Sequence, residues 1–96
     1  MTAAFSVRTS PRFNRLLRAL HRQHTDIVDS YAVALIILAA DPHNQTRQYR
    51  IKKLIGIRDG DGQYRLSLGR WRFRYDIFDR EVILQYCGLR REDTYR

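Results

Sequence analysis

The strongest constraint on the fold is a period-two alternation of apolar and polar side chains that begins at Tyr64 and is interrupted once. Successive side chains of a β-strand point to opposite faces, so the alternation predicts two strands that each have one apolar face. Gly69-Arg70 lies between the two runs and predicts a tight turn that joins them as an antiparallel hairpin. The apolar positions are Tyr64, Leu66 and Leu68 in the first run and Trp71, Phe73, Tyr75 and Ile77 in the second.

A two-residue turn also predicts the register of this hairpin, with Leu68 opposite Trp71 and Tyr64 opposite Tyr75. One face is then apolar and aromatic, and the other gathers three arginines and a serine: Arg65, Arg72, Arg74 and Ser67. Like charges opposite one another cost stability, so we interpret this cluster as a site for an anion. The alternative is a solvated face in a protein that uses arginine freely. A slip of one residue would move every side chain to the other face.

The first half of the chain predicts a strand and two helices. Residues 4–8 alternate as in a short strand, and Ser10-Pro11 follows as an N-cap with proline at the first helical position. Thr25 predicts the start of the second helix, and Asp41-Pro42 its end, because the residue before a proline avoids helical geometry. The polar side of the first helix is expected to carry Arg12, Arg15, Arg18 and Arg22.

Residues 82–87 form an apolar run without strict alternation, which predicts a central strand covered on both faces. The chain has 96 residues, enough for one hydrophobic core, so residues 1–96 are predicted to form a single domain. The expected fold is α+β: an N-terminal strand, a two-helix hairpin, and an antiparallel three-stranded meander with the helices packed on one face of the sheet.

Positive charge is concentrated in one part of the chain. The formal net charge is +8, and residues 47–74 contain nine basic and two acidic side chains. Sixteen of the 18 basic residues are arginine, whose guanidinium binds phosphate oxygens in a two-pronged geometry. This distribution favours a polyanionic partner, and it points to the block at 47–74 as the surface that binds it.

Several classes of function are excluded by what the chain lacks. The apolar stretch at 31–40 is about half the length of a bilayer crossing, and the N-terminus lacks the layout of a secretory signal. The single cysteine, Cys87, excludes an internal disulfide and most zinc sites and favours a reducing compartment. The Asp59-Gly60-Asp61-Gly62 stretch lacks the remaining ligands of a calcium loop. We therefore expect a cytoplasmic protein without a metal or cofactor.

Residues 62–77, with the sequence GQYRLSLGRWRFRYDI, resemble the hairpin of the RelE/ParE superfamily of bacterial toxins, whose signature is YRxxxGxxRxxYxI. The tail CGLRREDTYR is similar to the GxRxxxY ending of that superfamily, and Asp41-Pro42 and the Ile51-Lys52-Lys53-Leu54 stretch stand where the family carries DP and KKL. The resemblance covers most of the chain and implies the α+β fold described above. It also implies a cognate antitoxin protein as a partner.

The superfamily has two activities: RelE-like members cleave mRNA in the ribosomal A site, and ParE-like members inhibit DNA gyrase. The resemblance to RelE-like members implies four catalytic residues: Arg65, Arg72, Arg90 and Tyr95. Contacts to mRNA and ribosomal RNA are expected from Lys52, Lys53, Ser67, Arg70 and Arg74. Arg90 and Tyr95 favour RNA cleavage, because ParE-like members usually lack this pair. A gyrase inhibitor and a detoxified homologue that only binds its antitoxin are the alternatives.

The expected reaction is attack of a ribose 2′-OH on the adjacent phosphorus, with the 5′-oxygen as leaving group. Arg72 is expected to stabilise the charge that grows on the non-bridging oxygens. The sequence departs from the family at Ser67, because some RelE-like enzymes carry two lysines where this chain has Arg65 and Ser67. A hydroxyl therefore replaces a lysine that acts as a base, and Tyr95 is the remaining candidate to orient or deprotonate the 2′-OH.

Overall fold

A five-stranded sheet with two helices on one face forms the fold, in a computed structural model that describes residues 4–92. The elements in chain order are β1 (Ser6–Thr9), α1 (Pro11–His21), α2 (Ile27–Ala40), β2 (Ile51–Lys53), β3 (Tyr64–Leu68), β4 (Trp71–Phe78), β5 (Glu81–Leu89) and a 3-10 turn (Arg90–Glu92). The strand order is β1-β5-β4-β3-β2, with β1 parallel to β5 and the other pairs antiparallel. The predicted α+β class is confirmed.

The helices begin and end where local chemistry requires. Ser10 caps α1, because its hydroxyl accepts a hydrogen bond from the Phe13 N–H at 3.0 Å, and Pro11 follows in the first turn. Helix α2 ends at Ala40, and the next residue, Asp41, holds the following loop through hydrogen bonds from Gln45 and Thr46. No helix in the described part of the chain is long and apolar enough to cross a membrane.

The core lies between the helices and one face of the sheet. Phe13 of α1, with Ile27, Ala34 and Leu38 of α2, is fully buried against the apolar side of the strands. The sheet residues of this core are Leu66, Trp71, Phe73, Tyr75, Val82, Leu84 and Cys87. Burial of apolar surface is the main force that holds the two layers together. The opposite face of the sheet, which no helix of the described residues covers, is called the open face below.

Three features of the sheet differ from the sequence prediction. Residues 51–53 form a strand, so the antiparallel part has four strands rather than three. β1 pairs with β5 as a parallel strand, a long-range contact that no local pattern reveals. β5 is interior, as predicted, but it is not covered on both faces. Val82 and Leu84 are buried, whereas Ile83 and Gln85 are half-buried, because the helices pack on one side only.

Candidate functional site

The hairpin β3–β4 has the predicted register and gathers the predicted side chains on the open face. Leu68 pairs with Trp71, Ser67 with Arg72, and Arg65 with Arg74. The neighbouring strands extend these pairs across the sheet, because Lys52 pairs with Arg65 and residues of β5 pair with β4. The open face therefore carries two adjacent cross-strand rows: Lys52, Arg65, Arg74 and Tyr86 in the first, and Ser67, Arg72 and Gly88 in the second.

Arg72 is the most enclosed arginine of this surface, with 7% of its surface exposed. Its Nη1 donates hydrogen bonds to the carbonyl oxygens of Gly69 at 2.8 Å and Trp71 at 2.9 Å. The side chain thus turns back toward the β3–β4 turn. These two bonds orient the guanidinium relative to the turn. An oriented cation on a sheet scaffold is suited to binding a phosphate.

Arg74 is oriented by the loop between β2 and β3. Its Nε donates to the Gly62 carbonyl at 3.2 Å and its Nη2 to the Asp61 carbonyl at 2.9 Å. The loop is held by the carboxylate of Asp76, which is 1% exposed and accepts from the backbone N–H groups of Gly60, Gly62 and Gln63 at 2.8–3.1 Å. Gln85 donates a fourth hydrogen bond to the same carboxylate, at 3.1 Å.

Tyr86 belongs to the open face, and the sequence did not identify it. Guanidinium groups of two elements lie near its ring: Arg74 of β4 has its Cζ 5.7 Å from the ring centroid, and Arg12 of α1 has its Cζ at 5.6 Å. Both distances are within the range of cation–π attraction. Tyr86 thus connects the arginines of the sheet to the first turn of α1. No sequence signal pointed to it, because it stands inside an apolar run.

The remaining predicted RNA-contact residues occupy different places. Lys52 and Lys53 are both exposed, but only Lys52 is on the open face; the Nζ of Lys53 lies 5.6 Å from the Tyr64 ring centroid. Arg70, in the turn, points away from the arginine cluster. Its Nη2 bonds the Asp26 carboxylate at 2.7 Å, and its Cζ lies 5.0 Å from the Trp71 ring centroid.

Arg90 follows Gly88 by two residues and lies at the end of the sheet near the turn. Its N–H donates to the Arg70 carbonyl at 2.7 Å, and its exposed side chain borders a cavity of about 330 Å³ with His24, Arg70, Leu89 and Arg91. The structure thus brings together Arg65, Ser67, Arg72 and Arg74, with Lys52 at the margin. Tyr95, the remaining predicted catalytic residue, lies outside the described residues.

Two titratable groups near the site are shifted in opposite directions. The hydrogen bond from Arg70, followed by that from the Trp71 indole at 3.0 Å, lowers the pKa of Asp26 below its ordinary value. Burial raises the pKa of the Cys87 thiol to about 12, so this cysteine is not a nucleophile at neutral pH. Residues 4–92 contain no group of three His, Cys, Asp or Glu side chains that could hold a metal ion.

The arrangement groups cations and hydroxyl groups on the open face, which is the chemistry of anion recognition rather than of a deep small-molecule site. Comparison of the chain with protein-family models, with curated proteins and with solved structures finds no match.

Proposed function

We propose that this protein is a ribosome-dependent mRNA endonuclease, acting in the cytoplasm as the toxin of a toxin–antitoxin pair. The observation that supports this most is the hairpin register, with Arg65, Arg72 and Arg74 around Ser67 on the open face. Guanidinium groups match the oxygens of a phosphate in a two-pronged geometry, so a cluster of them on one face is suited to binding an RNA backbone. The reaction class comes from the resemblance of the hairpin and the tail to RelE-like toxins.

The chemistry requires charge stabilisation more than a strong base. The ribose 2′-oxygen forms a bond to phosphorus and loses its proton, while the bond to the 5′-oxygen breaks and that oxygen gains a proton. The products are a 2′,3′-cyclic phosphate and a 5′-hydroxyl end. Negative charge grows on the non-bridging oxygens, and a preoriented donor such as Arg72 lowers the barrier there. Arg65 lies on the same face as Arg72, and the resemblance to RelE-like toxins assigns Arg90 to charge stabilisation as well and Tyr95 to orienting or deprotonating the 2′-OH.

Dependence on the ribosome follows from the residues on the face. Arginine remains protonated at neutral pH, so Arg65, Arg72 and Arg74 do not act as general bases. An in-line geometry imposed on mRNA in the A site supplies several kcal/mol of the barrier through positioning. The face then needs to supply only binding and charge stabilisation. Lys52, at the margin of the arginine cluster, is proposed to contact ribosomal RNA phosphates.

The partner that holds the toxin inactive is proposed to be an acidic antitoxin protein. Helix α2 is apolar on its outer side as well as its inner side: Ile36 is 71% exposed, Val28 47% and Val33 46%. Several exposed apolar side chains on one helix of a small protein are typical of an interface. An antitoxin helix on α2, with acidic groups toward the basic surfaces, would cover it.

The test is primer-extension mapping of mRNA in cells that produce the wild-type protein or an arginine variant. We expect wild type to give cuts within translated codons, and Arg72→Ala to reduce the cut fraction at least about 100-fold, the scale of losing a transition-state donor. Arg65→Ala should also reduce the cut fraction. Arg18→Ala, an exposed arginine on α1, is the matched control and should cleave as wild type.

Each variant is first compared with wild type by thermal unfolding, so that loss of fold is separated from loss of chemistry. Full cleavage by a folded Arg72→Ala protein would contradict the proposed mechanism. Intact transcripts together with gyrase-linked DNA breaks in wild-type cells would favour the gyrase inhibitor instead. Intact transcripts and normal growth would favour a detoxified homologue that binds only its antitoxin.

A further inference from the structure

Tyr86 reaches the open face because of an irregularity in the sheet. Tyr75 pairs with Leu84 and the preceding residue, Arg74, pairs with Tyr86, so Gln85 is an extra residue in β5. Leu84 faces the core, and strict alternation would turn Tyr86 to the core as well. The β-bulge changes this parity, so that Tyr86 joins Arg74 on the open face and Cys87 becomes the next core residue.

Gly88 provides the space for the Tyr86 side chain. The phenol lies over this glycine, such that a Cβ built at position 88 would fall 2.8 Å from the Tyr86 Cζ and closer still to its hydroxyl oxygen. Gly88 pairs directly with Arg72, and the Cα atoms of paired residues lie about 4.5–5.5 Å apart. The Tyr86 hydroxyl therefore lies near the Cα of Arg72, on the same face of the sheet.

Two cations hold the ring in this position. Arg74 approaches it from the adjacent strand, and Arg12 approaches from the first turn of α1. A bulge, a glycine and two guanidinium groups thus fix one phenol at the β5 end of the row that also contains Arg65 and Arg74. A phenolic O–H is a hydrogen-bond donor, and a donor among cations is suited to binding an anionic oxygen.

We infer that Tyr86 contacts the RNA substrate: its hydroxyl donates a hydrogen bond to a phosphate oxygen of the RNA bound by Arg72. The nature of the ligand rests on the proposed function, whereas the placement of the hydroxyl does not. The inference adds a substrate-binding residue that lies in the sheet itself and extends the binding surface from the hairpin to Arg12.

The test measures binding separately from cleavage. A short fluorescein-labelled RNA with 2′-O-methyl groups has no free 2′-OH to react, so its anisotropy with purified protein reports affinity alone. Single-turnover cleavage of mRNA on programmed ribosomes is the second readout. Tyr86→Phe removes only the hydroxyl and should weaken both affinity and cleavage about tenfold, the effect of losing a hydrogen bond to a charged group. Tyr31→Phe makes the same chemical change on α2 and should leave both unchanged.

Gly88→Ala provides an independent perturbation, because it displaces the phenol without altering it. We expect a loss of affinity at least as large as that of Tyr86→Phe. The double variant should bind the RNA with the same affinity as whichever single variant binds it less tightly, since both changes act through one hydroxyl. A purely structural effect of Gly88→Ala would instead add to that of Tyr86→Phe.

The outcomes separate the inference from the proposed function. If Tyr86→Phe weakens RNA binding while the wild type does not cleave mRNA on ribosomes, the inference holds and the proposed function fails. If the wild type cleaves and Tyr86→Phe matches it in both readouts, the proposed function holds and the inference is overturned. A wild-type protein that neither binds nor cleaves RNA overturns both.

Discussion

At the scale of single residues, Asp76 organises the loop beside the open face. Its carboxylate is almost fully buried and accepts three backbone hydrogen bonds from residues 60–63, which places the carbonyl groups of Asp61 and Gly62 against Arg74. A buried carboxylate is stable only when such donors surround it. One acidic residue, remote from the turn of the hairpin, thus sets the orientation of one arginine of the candidate site.

Gly62 is the glycine of this loop on which the arrangement most depends. It has φ +84°, and a Cβ at this position would lie 2.7 Å from the Arg74 Cβ and 3.3 Å from the β4 backbone. We expect Gly62→Ala to lower the free energy of unfolding by more than about 3 kcal/mol, since left-handed strain and a backbone clash add. Urea denaturation measures the change.

Gly60 gives the matched control for that substitution. Its φ is +94°, but a Cβ there would meet nothing within 4 Å. Gly60→Ala should therefore cost about 1–2 kcal/mol, from backbone strain alone. Equal losses for the two variants would show that the close approach of Gly62 to Arg74 is unimportant for stability.

At the scale of elements, Asp26 joins α2 to the β3–β4 turn. It precedes the first residue of α2, but its side chain makes no capping bond to the helix. The carboxylate instead accepts from Arg70 at 2.7 Å and from the Trp71 indole at 3.0 Å. The start of one helix is thereby fixed to the tip of the hairpin, at the end of the sheet near Arg90.

This contact predicts an acid-dependent contribution to stability. Hydrogen bonds from Arg70 and Trp71 lower the pKa of Asp26 in the folded protein below the ordinary value of 3.8. The folded state therefore holds the proton less tightly than the unfolded state, so the stabilisation is complete above pH 3.8 and is lost as the pH falls through the lower, folded pKa.

Urea midpoints for wild type and Asp26→Asn, measured from about pH 6 down to about pH 2.5, test this linkage. The variant should be less stable at the upper end, and the difference should shrink toward the acid end. Ser30→Ala, which removes no ionisable group from α2, is the control and should keep a nearly constant offset. A difference for Asp26→Asn that does not change with pH would contradict the assignment.

At the scale of the whole molecule, the only cysteine reports on the core. Cys87 lies in interior strand β5, is 1% exposed, and has its thiol pKa raised to about 12 by burial. At about pH 8 the native thiol should be unreactive toward a disulfide reagent, because the thiolate is the nucleophile. Labelling should rise with urea along the same curve as the loss of circular dichroism.

An exposed thiol calibrates this measurement. Ala19→Cys combined with Cys87→Ala places the sulfur on the solvent side of α1 and should react at once without urea. Rapid labelling of native Cys87 would mean that the sheet opens locally, and that the core around β5 is less stable than its burial indicates.

The sequence predicted those parts of the fold that depend on local patterns. A two-residue turn and period-two alternation were sufficient for the β3–β4 register and for the arginine cluster, because neighbouring residues alone determine them. β2 was missed, since three residues with two lysines resemble a loop. The sequence did not predict the bulge at Gln85, because an apolar run such as 82–87 does not show which residues face which side of the sheet. For the same reason it did not predict that Tyr86 lies on the open face. The burial of Asp76 depends on a loop 13–16 residues earlier in the chain.

The parallel pairing of β1 with β5 has a consequence for the order of folding. Val7 lies beside Val82, so the first strand finds its place only after β5 has left the ribosome. The β3–β4 hairpin forms between near neighbours and can assemble much earlier, because contacts distant in sequence are slower to form. A growing chain that has emerged only as far as β4 therefore has its arginine hairpin but an incomplete sheet. Emergence of β5 both completes the core of the sheet and brings in Tyr86, so the basic surface is assembled only after that strand has paired with β4.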